Sequence, residues 1–320
     1  MLSALITGVT GQDGSYLAEL LVEHEVQVIG GVRDPRTAQL IPSLKNRIEL
    51  VQWDMSNQKS IEDVLNANSV DEIYNFAAFS SGEGMFEHPI EMGKVNGLGV
   101  VYILEAIRKV NPLIRFCQAS SSEMFGYTDE SPQSEKTPFN PRTPYGAAKL
   151  YAHSMIHIYR ERYGLFACSA ILFNHESPRR GLNFVPRKVA RAAAAIKLCY
   201  TTKLTLGTLD ARRDWGFAGD YVRAMQLMLK HSRPDDYVVA TGVTHSIREL
   251  CECAFGYLDL DYKDFVRIEN NSYRAPESVQ LVGDATKART QLGWEPEVGF
   301  RKMVSMMVDA DLQMLNKKLI

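Results

Sequence analysis

Seven residues near the N-terminus constrain this chain most: Gly8-Val9-Thr10-Gly11-Gln12-Asp13-Gly14. They follow an apolar, strand-like run at 2–7 and open a segment with helical spacing. A G-x-x-G-x-x-G pattern in that position lets the backbone turn sharply from strand to helix and lets a pyrophosphate approach it closely. The first N–H groups of the helix have no partner within it, so they can face phosphate charge. Gly8, Thr10, Gly11, Gln12, Asp13 and Gly14 are therefore candidate cofactor residues. The alternative is a tight glycine turn with no ligand. The strand before the loop and the helix after it weigh against that.

The first half repeats this strand-to-helix grammar. Strand-like runs at 2–7, 26–32, 48–52, 72–76, 114–118 and 166–172 alternate with helical segments at 14–23, 60–66, 93–109 and 144–163. The alternation predicts an α/β fold of Rossmann type, a doubly wound parallel sheet covered by helices on both faces. After about Phe173 the pattern loosens, although 185–198 and 220–230 have helical spacing and 236–240 reads as a strand. The expected division is a dinucleotide-binding domain over 1–173 and a smaller C-terminal α/β substrate lobe over 174–320. Some segments of that lobe are expected to return to the first domain.

Composition removes several functional classes. The formal net charge of -2 gives no field that favours nucleic acid or an anionic membrane. Five cysteines without a C-x-x-C pair point away from a disulfide framework and from zinc, so no metal is expected. The first residues show no basic region followed by a long apolar core, and no run approaches the roughly 18 apolar residues of a membrane span. The expected compartment is the cytoplasm.

Three strand ends carry the chemistry. After the second lies Arg33-Asp34-Pro35-Arg36. A base there favours an adenosine 2′-phosphate and an acid favours a free ribose, so NADP is the expected cofactor, with NAD left open by Asp34. Asp54, after the third strand, either contacts the adenine or caps the following turn. The fifth strand ends in Gln118-Ala119-Ser120-Ser121-Ser122-Glu123. A hydroxyl there can hold a substrate hydroxyl, and a carboxylate supplies a second acid/base that a simple oxidoreductase does not need. Alternatively these serines cap a turn and Glu123 is solvated. Tyr145-Gly146-Ala147-Ala148-Lys149 puts a phenol and an ammonium on one helical face. The ammonium is expected to lower the phenol pKa so that Tyr145 acts as a base.

Together, the glycine loop, the serine-rich strand end and Y-x-x-x-K resemble the extended short-chain dehydrogenase/reductases. Ile171-Leu172-Phe173-Asn174-His175-Glu176-Ser177-Pro178-Arg179-Arg180-Gly181 narrows the resemblance to the GDP-mannose 4,6-dehydratase family. So do Asn183-Phe184-Val185-Pro186-Arg187-Lys188, Leu206-Gly207-Thr208-Leu209-Asp210-Ala211-Arg212-Arg213-Asp214-Trp215-Gly216 and Ala240-Thr241-Gly242-Val243-Thr244-His245-Ser246. The resemblance implies an internal NADP cycle: oxidation at C4 of a GDP-sugar, loss of water across C5 and C6, and reduction at C6. It implies Ser121, Glu123, Tyr145 and Lys149 as the catalytic set, and adds Met55, Ala77 and Ala78 to the cofactor set. It implies Ser80, Ser122, Asn174, Val185, Lys188, Gly207, Arg213, Arg274 and Glu277 as substrate residues. A homodimer or homotetramer is implied too, with a bundle contact through 93–109 and Pro144–Tyr163.

The chain departs from the family pattern in three places. The family usually has two arginines followed by serines where this chain has Arg33-Asp34-Pro35-Arg36-Thr37. It commonly has Gln-Ser or Met-Ser after the alanine pair, where Phe79-Ser80-Ser81-Gly82-Glu83-Gly84-Met85 stands here. Its usual Arg-Pro-Ala-Glu becomes Arg274-Ala275-Pro276-Glu277. These changes leave open the sugar, GDP-mannose or another such as a GDP-heptose. A GDP-4-keto-6-deoxymannose reductase is the alternative activity.

Overall fold

The computed structural model describes residues 2–79, 86–269 and 279–317. The first half runs β1 (Ser3–Thr7), α1 (Gln12–Glu23), β2 (Gln27–Val32), β3 (Glu49–Gln52), α2 (Gln58–Ala67) and β4 (Glu72–Asn75). It continues through α3 (Pro89–Met92), a π-helical turn (Gly93–Leu98), α4 (Gly99–Val110), β5 (Arg115–Ala119), α5 (Pro144–Tyr163) and β6 (Ala167–Leu172). The second half opens with β7 (Asn174–Glu176), α6 (Val185–Lys197), β8 (Leu204–Leu206), β9 (Arg212–Phe217), α7 (Ala218–Lys230) and β10 (Asp236–Val239). It closes with β11 (Thr244–Ser246), α8 (Ile247–Gly256), α9 (Tyr262–Phe265), β12 (Val266–Ile268), α10 (Thr286–Leu292) and α11 (Phe300–Asn316).

Among the described residues seven strands form one parallel sheet in the order β10-β6-β5-β4-β1-β2-β3. The order reverses between β1 and β4. In an open parallel sheet that reversal leaves a crevice beyond the C-terminal strand ends, because neighbouring connections leave in opposite directions. Strands covered on both faces need apolar side chains on both, as these have. Leu5, Ile73, Phe116 and Ala167 pack on the side of α2, α4 and α5, whereas Ile6, Tyr74, Cys117 and Cys168 pack on the side of α1 and α7.

The expected helix at 93–109 is not uniform. It enters through α3 and the wider π turn before α4 begins. Asn96 lies on that turn, buried, and its carboxamide accepts from the Phe79 N–H at 2.7 Å and donates to the Phe79 carbonyl at 2.9 Å. The helical spacing contained no sign of this inward-facing amide.

Residues after 173 contribute to both halves of the molecule. β10 pairs with β6 at the sheet edge, and Met225, Met228 and Leu229 of α7 pack into the same core. The remainder forms a second core from α6, α8 and α11 with β8 and β9, including Val189, Trp215, Phe255 and Met307. Two short sheets belong to this part, β11-β9-β7 and β12-β8. Buried charge ties its parts together. Arg187 of α6 meets Asp311 of α11 at 2.8 Å, both almost wholly buried. The buried Asp214 carboxylate accepts from the Thr241 N–H and hydroxyl, the Gly242 N–H and the Gly283 N–H at 2.6–3.2 Å. A buried carboxylate needs such partners, since an unpaired one costs several kcal/mol.

Candidate active site

The turn from β1 into α1 is made by close backbone contact. Gly8 sits at φ +66°, a left-handed conformation suited to glycine, and the Gly11 N–H donates to the Gly8 carbonyl at 2.9 Å. A Cβ on Gly14 would lie 2.4 Å from that carbonyl oxygen, so any side chain there would push α1 off the loop. Helix α1 starts at Gly11 with no side-chain cap. Its first N–H groups are therefore available to an anion, and the exposed Thr10 and Gly11 put them at the surface. This cradle fits a dinucleotide pyrophosphate.

Side chains at the strand ends hold the crevice in shape. The Thr7 hydroxyl accepts from the Phe76 and Ala77 N–H groups at 3.1 and 2.9 Å and donates to Asn75 Oδ1 at 2.5 Å. Asn75 in turn donates to Gln118 at 2.7 Å. β1, β4 and β5 are thus pinned together at the reversal, with Ala77 against Gly8. Gln12 and Asp13 both engage the strand that follows β6. Gln12 donates to the His175 carbonyl at 3.1 Å and accepts from the Ser177 hydroxyl at 2.8 Å, while Asp13 Oδ2 lies 3.1 Å from His175 Nε2.

On the adenosine side, Arg33 is exposed at the end of β2. Asp34, which had kept NAD open, is bound by the Arg36 N–H at 3.0 Å and by its guanidinium at 2.9–3.0 Å. That hydrogen bonding holds its carboxyl below the usual value. Asp54 Oδ1 accepts from the Ser56 N–H at 2.8 Å and hydroxyl at 2.6 Å, which caps a turn, and Met55 beside it is buried.

Beyond β5, Ser121 caps a single 3-10 turn, Ser122–Met124, by accepting from the Glu123 N–H at 3.2 Å. Helix α5 starts with Thr143 as cap, its hydroxyl accepting from the Gly146 N–H at 3.0 Å, and Pro144 in its first turn. A Cβ on Gly146 would lie 2.5 Å from the Glu123 carbonyl oxygen. The glycine in Tyr-Gly-x-x-Lys therefore lets the helix start seat directly on the Glu123 turn. Ser121 hydrogen-bonds the Tyr145 phenol, and the Glu123 carboxylate is close enough to act on it electrostatically. Lys149, 3% exposed, donates from Nζ to the Ala119 carbonyl at 2.7 Å and lies 5.7 Å from the Tyr145 ring centre. The structure thus assembles Ser121, Glu123, Tyr145 and Lys149, with Ser122 buried beside them.

The electrostatics differ from the expectation. Burial pushes the Tyr145 phenol up to about 12; the Ser121 hydrogen bond opposes this, while the Glu123 carboxylate adds to it. Burial pushes Lys149 down to about 8, with the Asp13 carboxylate pulling it back up. The ammonium is spent on a backbone carbonyl rather than on the phenol, so it does not lower the Tyr145 pKa here. The Coulomb effect expected from the motif loses to desolvation.

Two groups of residues behave differently from the sequence reading. His175, Glu176 and Arg180 stood only inside the family motif, yet they form a buried charged cluster against Asp13, with Arg180 Nε 3.2 Å from Glu176. Their signal was charged residues directly after the apolar end of β6. Asn96 was visible only as one amide within an apolar stretch. Among the expected substrate residues, Asn174 sits on β7 opposite Trp215, and Val185 and Lys188 lie in the first turn of α6. Gly207 follows β8, and Arg213 sits on β9 donating to the Arg212 carbonyl at 2.6 Å. Ser80, Glu83, Arg274 and Glu277 lie outside the described residues.

Comparison with known proteins narrows the reading. The profile of the family described as GDP-mannose 4,6 dehydratase matches residues 5–307. GDP-mannose 4,6 dehydratase 1 of Arabidopsis thaliana is 48% identical, covering 98% of this chain and 91% of its own. GDP-mannose 4,6 dehydratase of Homo sapiens is 41% identical, covering 98% and 92%. Among solved structures, the UDP-glucose 4-epimerase of Thermotoga maritima with UDP-glucose superposes with a TM-score of 0.87 at 20% identity, over 100% of both chains. The dTDP-glucose 4,6-dehydratase of Bacillus anthracis in complex with NAD gives 0.85 at 21%, over 99% and 98%. RMD of Pseudomonas aeruginosa complexed with NADPH gives 0.83 at 23%, over 98% and 100%. At these identities the structural likeness is one of fold.

The buried lysine carries a testable cost. Its folded pKa, about 8, lies below its ordinary 10.5. Below pH 8 both folded and unfolded states are charged, and the folded state bears the full desolvation penalty. As pH rises from 8 to 10.5 the folded lysine is neutral first, and the penalty fades. Lys149→Met should therefore stabilise the protein by about 1–3 kcal/mol at pH 7, with the gain gone near pH 11. Urea unfolding at the two pH values measures this; a variant less stable than the parent at pH 7 contradicts it.

Proposed function

The chain belongs to the GDP-mannose 4,6-dehydratase family, and from that premise we propose that it converts GDP-mannose to its 4-keto-6-deoxy product through Ser121, Glu123, Tyr145 and Lys149. One observation carries this assignment of roles: two proton-handling groups, a phenol and a carboxylate, meet at one strand end. A simple oxidation of an alcohol needs one such group. Elimination beside a ketone needs a second.

The glycine cradle would hold a nicotinamide dinucleotide through Gly8, Thr10, Gly11 and Gly14, with Lys149 positioned for its ribose. NADP is the form that Arg33 favours, since Arg36 already occupies the competing carboxylate of Asp34. When bound, this cofactor supplies a reversible hydride store, so the oxidation at carbon 4 is undone by reduction at carbon 6 with no net reductant.

The side chains then divide the proton work. Ser121 orients the sugar 4-hydroxyl, and Tyr145 would take its proton as the phenolate, a form that the positive charge of a bound oxidised nicotinamide would favour over the protonated phenol of the resting site. The ketone formed at carbon 4 acidifies the hydrogen on carbon 5. Glu123 takes that proton and delivers one to the departing 6-hydroxyl, which leaves as water. The proton taken by Tyr145 balances the one that carbon 5 regains as carbon 6 is reduced. Lys188 and Arg213 would neutralise the diphosphate, and Ser122, Asn174, Val185 and Gly207 would surround the nucleotide sugar. Ser80, Arg274 and Glu277 complete that set in the proposal.

We also propose a homo-oligomer, a dimer or a tetramer. Leu98 before α4, and Tyr151 and Ile158 on α5, are exposed apolar residues on the elements expected to meet a second copy.

Two variants test the roles. Glu123→Gln should lower kcat by about 10²–10⁴-fold while the protein stays folded and keeps its cofactor affinity. In deuterium oxide the parent should place deuterium at carbon 5 of the product. A variant within threefold of the parent would remove Glu123 from the mechanism. Arg33→Ala should weaken NADP+ binding by about tenfold, roughly 1.4 kcal/mol, and leave NAD+ unchanged. Equal change for both would remove the 2′-phosphate role.

A further inference from the structure

The space that Gly216 leaves on β9 is filled by a ring from α7. Gly216 is the register partner of His175 on β7. A Cβ on Gly216 would lie 2.3 Å from Tyr221 Cε2 and 2.7 Å from its hydroxyl, so the Tyr221 ring lies over the glycine. From there it stacks on the His175 imidazole, with ring centres 4.8 Å apart and planes at 31°. Trp294 meets the Tyr221 ring edge-on at 6.0 Å and is itself fixed by its Nε1 donating to the Asp220 carbonyl at 2.7 Å.

His175 lies between two acceptors. Its Nδ1 donates to the Phe173 carbonyl at 2.7 Å, and its Nε2 faces Asp13 Oδ2 at 3.1 Å in a bent ionic contact. The Nδ1 hydrogen is set by the carbonyl, and although burial opposes charge on the ring, the Asp13 carboxylate raises the His175 pKa and so favours a second hydrogen on Nε2. The groups facing it are Asp13 of α1, Glu176 and Arg180 around β7, and Tyr221 of α7. The Nδ1 bond fixes one edge of the ring, and the bent contact at Nε2 leaves its tilt to be set by packing. The Tyr221 hydroxyl is buried and has no hydrogen-bond partner among the described residues. Its ring, not its hydroxyl, is therefore the part in use.

We propose that Tyr221 is a positioning residue for the cofactor loop. By stacking on His175 it keeps the imidazolium against Asp13, and so holds the first turn of α1 in its anion-binding shape. Gln12 of the same turn is tied to the same strand through the His175 carbonyl and Ser177. The inference rests on the reading that a nicotinamide dinucleotide binds at the glycine loop. It adds that cofactor affinity is set partly by an aromatic residue of the second half, braced by Trp294.

The test uses the full chain and NADPH fluorescence titration, with thermal unfolding in parallel, on Tyr221→Phe, Tyr221→Leu, His175→Gln and the Tyr221→Leu/His175→Gln double variant. Tyr221→Phe should bind NADPH within twofold of the parent. Tyr221→Leu should bind about three- to tenfold more weakly, and the double variant no more weakly than His175→Gln within twofold. Where Tyr221→Leu does not fold, Tyr221→Met takes its place. Unchanged affinity in the leucine variant overturns the inference. So do losses that multiply in the double variant, because Tyr221 would then be an ordinary core residue acting independently of His175. A parent protein that binds neither NADPH nor NADH overturns the cofactor reading itself, and this inference with it.

Discussion

The backbone contact between Gly14 and the Gly8 carbonyl is the constraint on which the rest of the site depends. No side chain fits there, so α1 can sit tight against the end of β1 and aim its first N–H groups outward. The same turn brings Thr7 beside Phe76 and Ala77, and through Asn75 and Gln118 it locks the ends of β1, β4 and β5 into one rim. The residues proposed for catalysis are built directly on that rim. Ser121 and Glu123 follow β5, and Lys149 reaches back to the Ala119 carbonyl. A second glycine contact, Gly146 on the Glu123 carbonyl, seats Tyr145 against them. Two positions without a Cβ therefore fix where the proposed anion cradle and the proposed proton-transfer groups sit.

Burial governs the chemistry of the assembled groups. It keeps the phenol protonated at neutral pH and lowers the Lys149 pKa to about 8, so that the ammonium stays charged at pH 7 at the cost of its desolvation. Groups held this way respond strongly to any charge brought beside them, because little solvent screens the interaction. The cluster of Asp13, His175, Glu176 and Arg180 sets two acidic groups against two basic ones behind the loop, with burial pushing the Glu176 carboxyl up.

Much of the fold was legible because its signals were local. Each strand of the first half appeared as a short apolar run between turn residues, and α5 has the expected limits, Pro144–Tyr163, because Thr143, Pro144 and Gly164 mark its ends. The π turn before α4 was not legible, since its apolar spacing is that of an ordinary helix. β7, β8, β11 and β12 are three residues each, too short for any period to emerge. At the site, residue types and spacing pointed to the serine-rich strand end with Glu123 and to Tyr145 and Lys149, and the family resemblance singled out Ser121, but nothing pointed to the balance between burial and charge that raises the Tyr145 pKa. The engagement of Asp34 by Arg36, and the use of Asp54 as a cap, depend on side-chain geometry that spacing alone does not specify. The stack of Tyr221 on His175 joins residues 46 positions apart in the chain through a glycine on a third element, which only the folded structure reveals.

The central claim is an internal hydride cycle within one active site. GDP-mannose carrying deuterium at carbon 4, incubated with the protein and catalytic NADP+, tests it most directly by mass spectrometry and NMR of the product. The account predicts a product lighter by one water, with the deuterium at carbon 6 and no net change in NADPH. Deuterium appearing in the cofactor pool, or product formed only with stoichiometric NADPH, would contradict it.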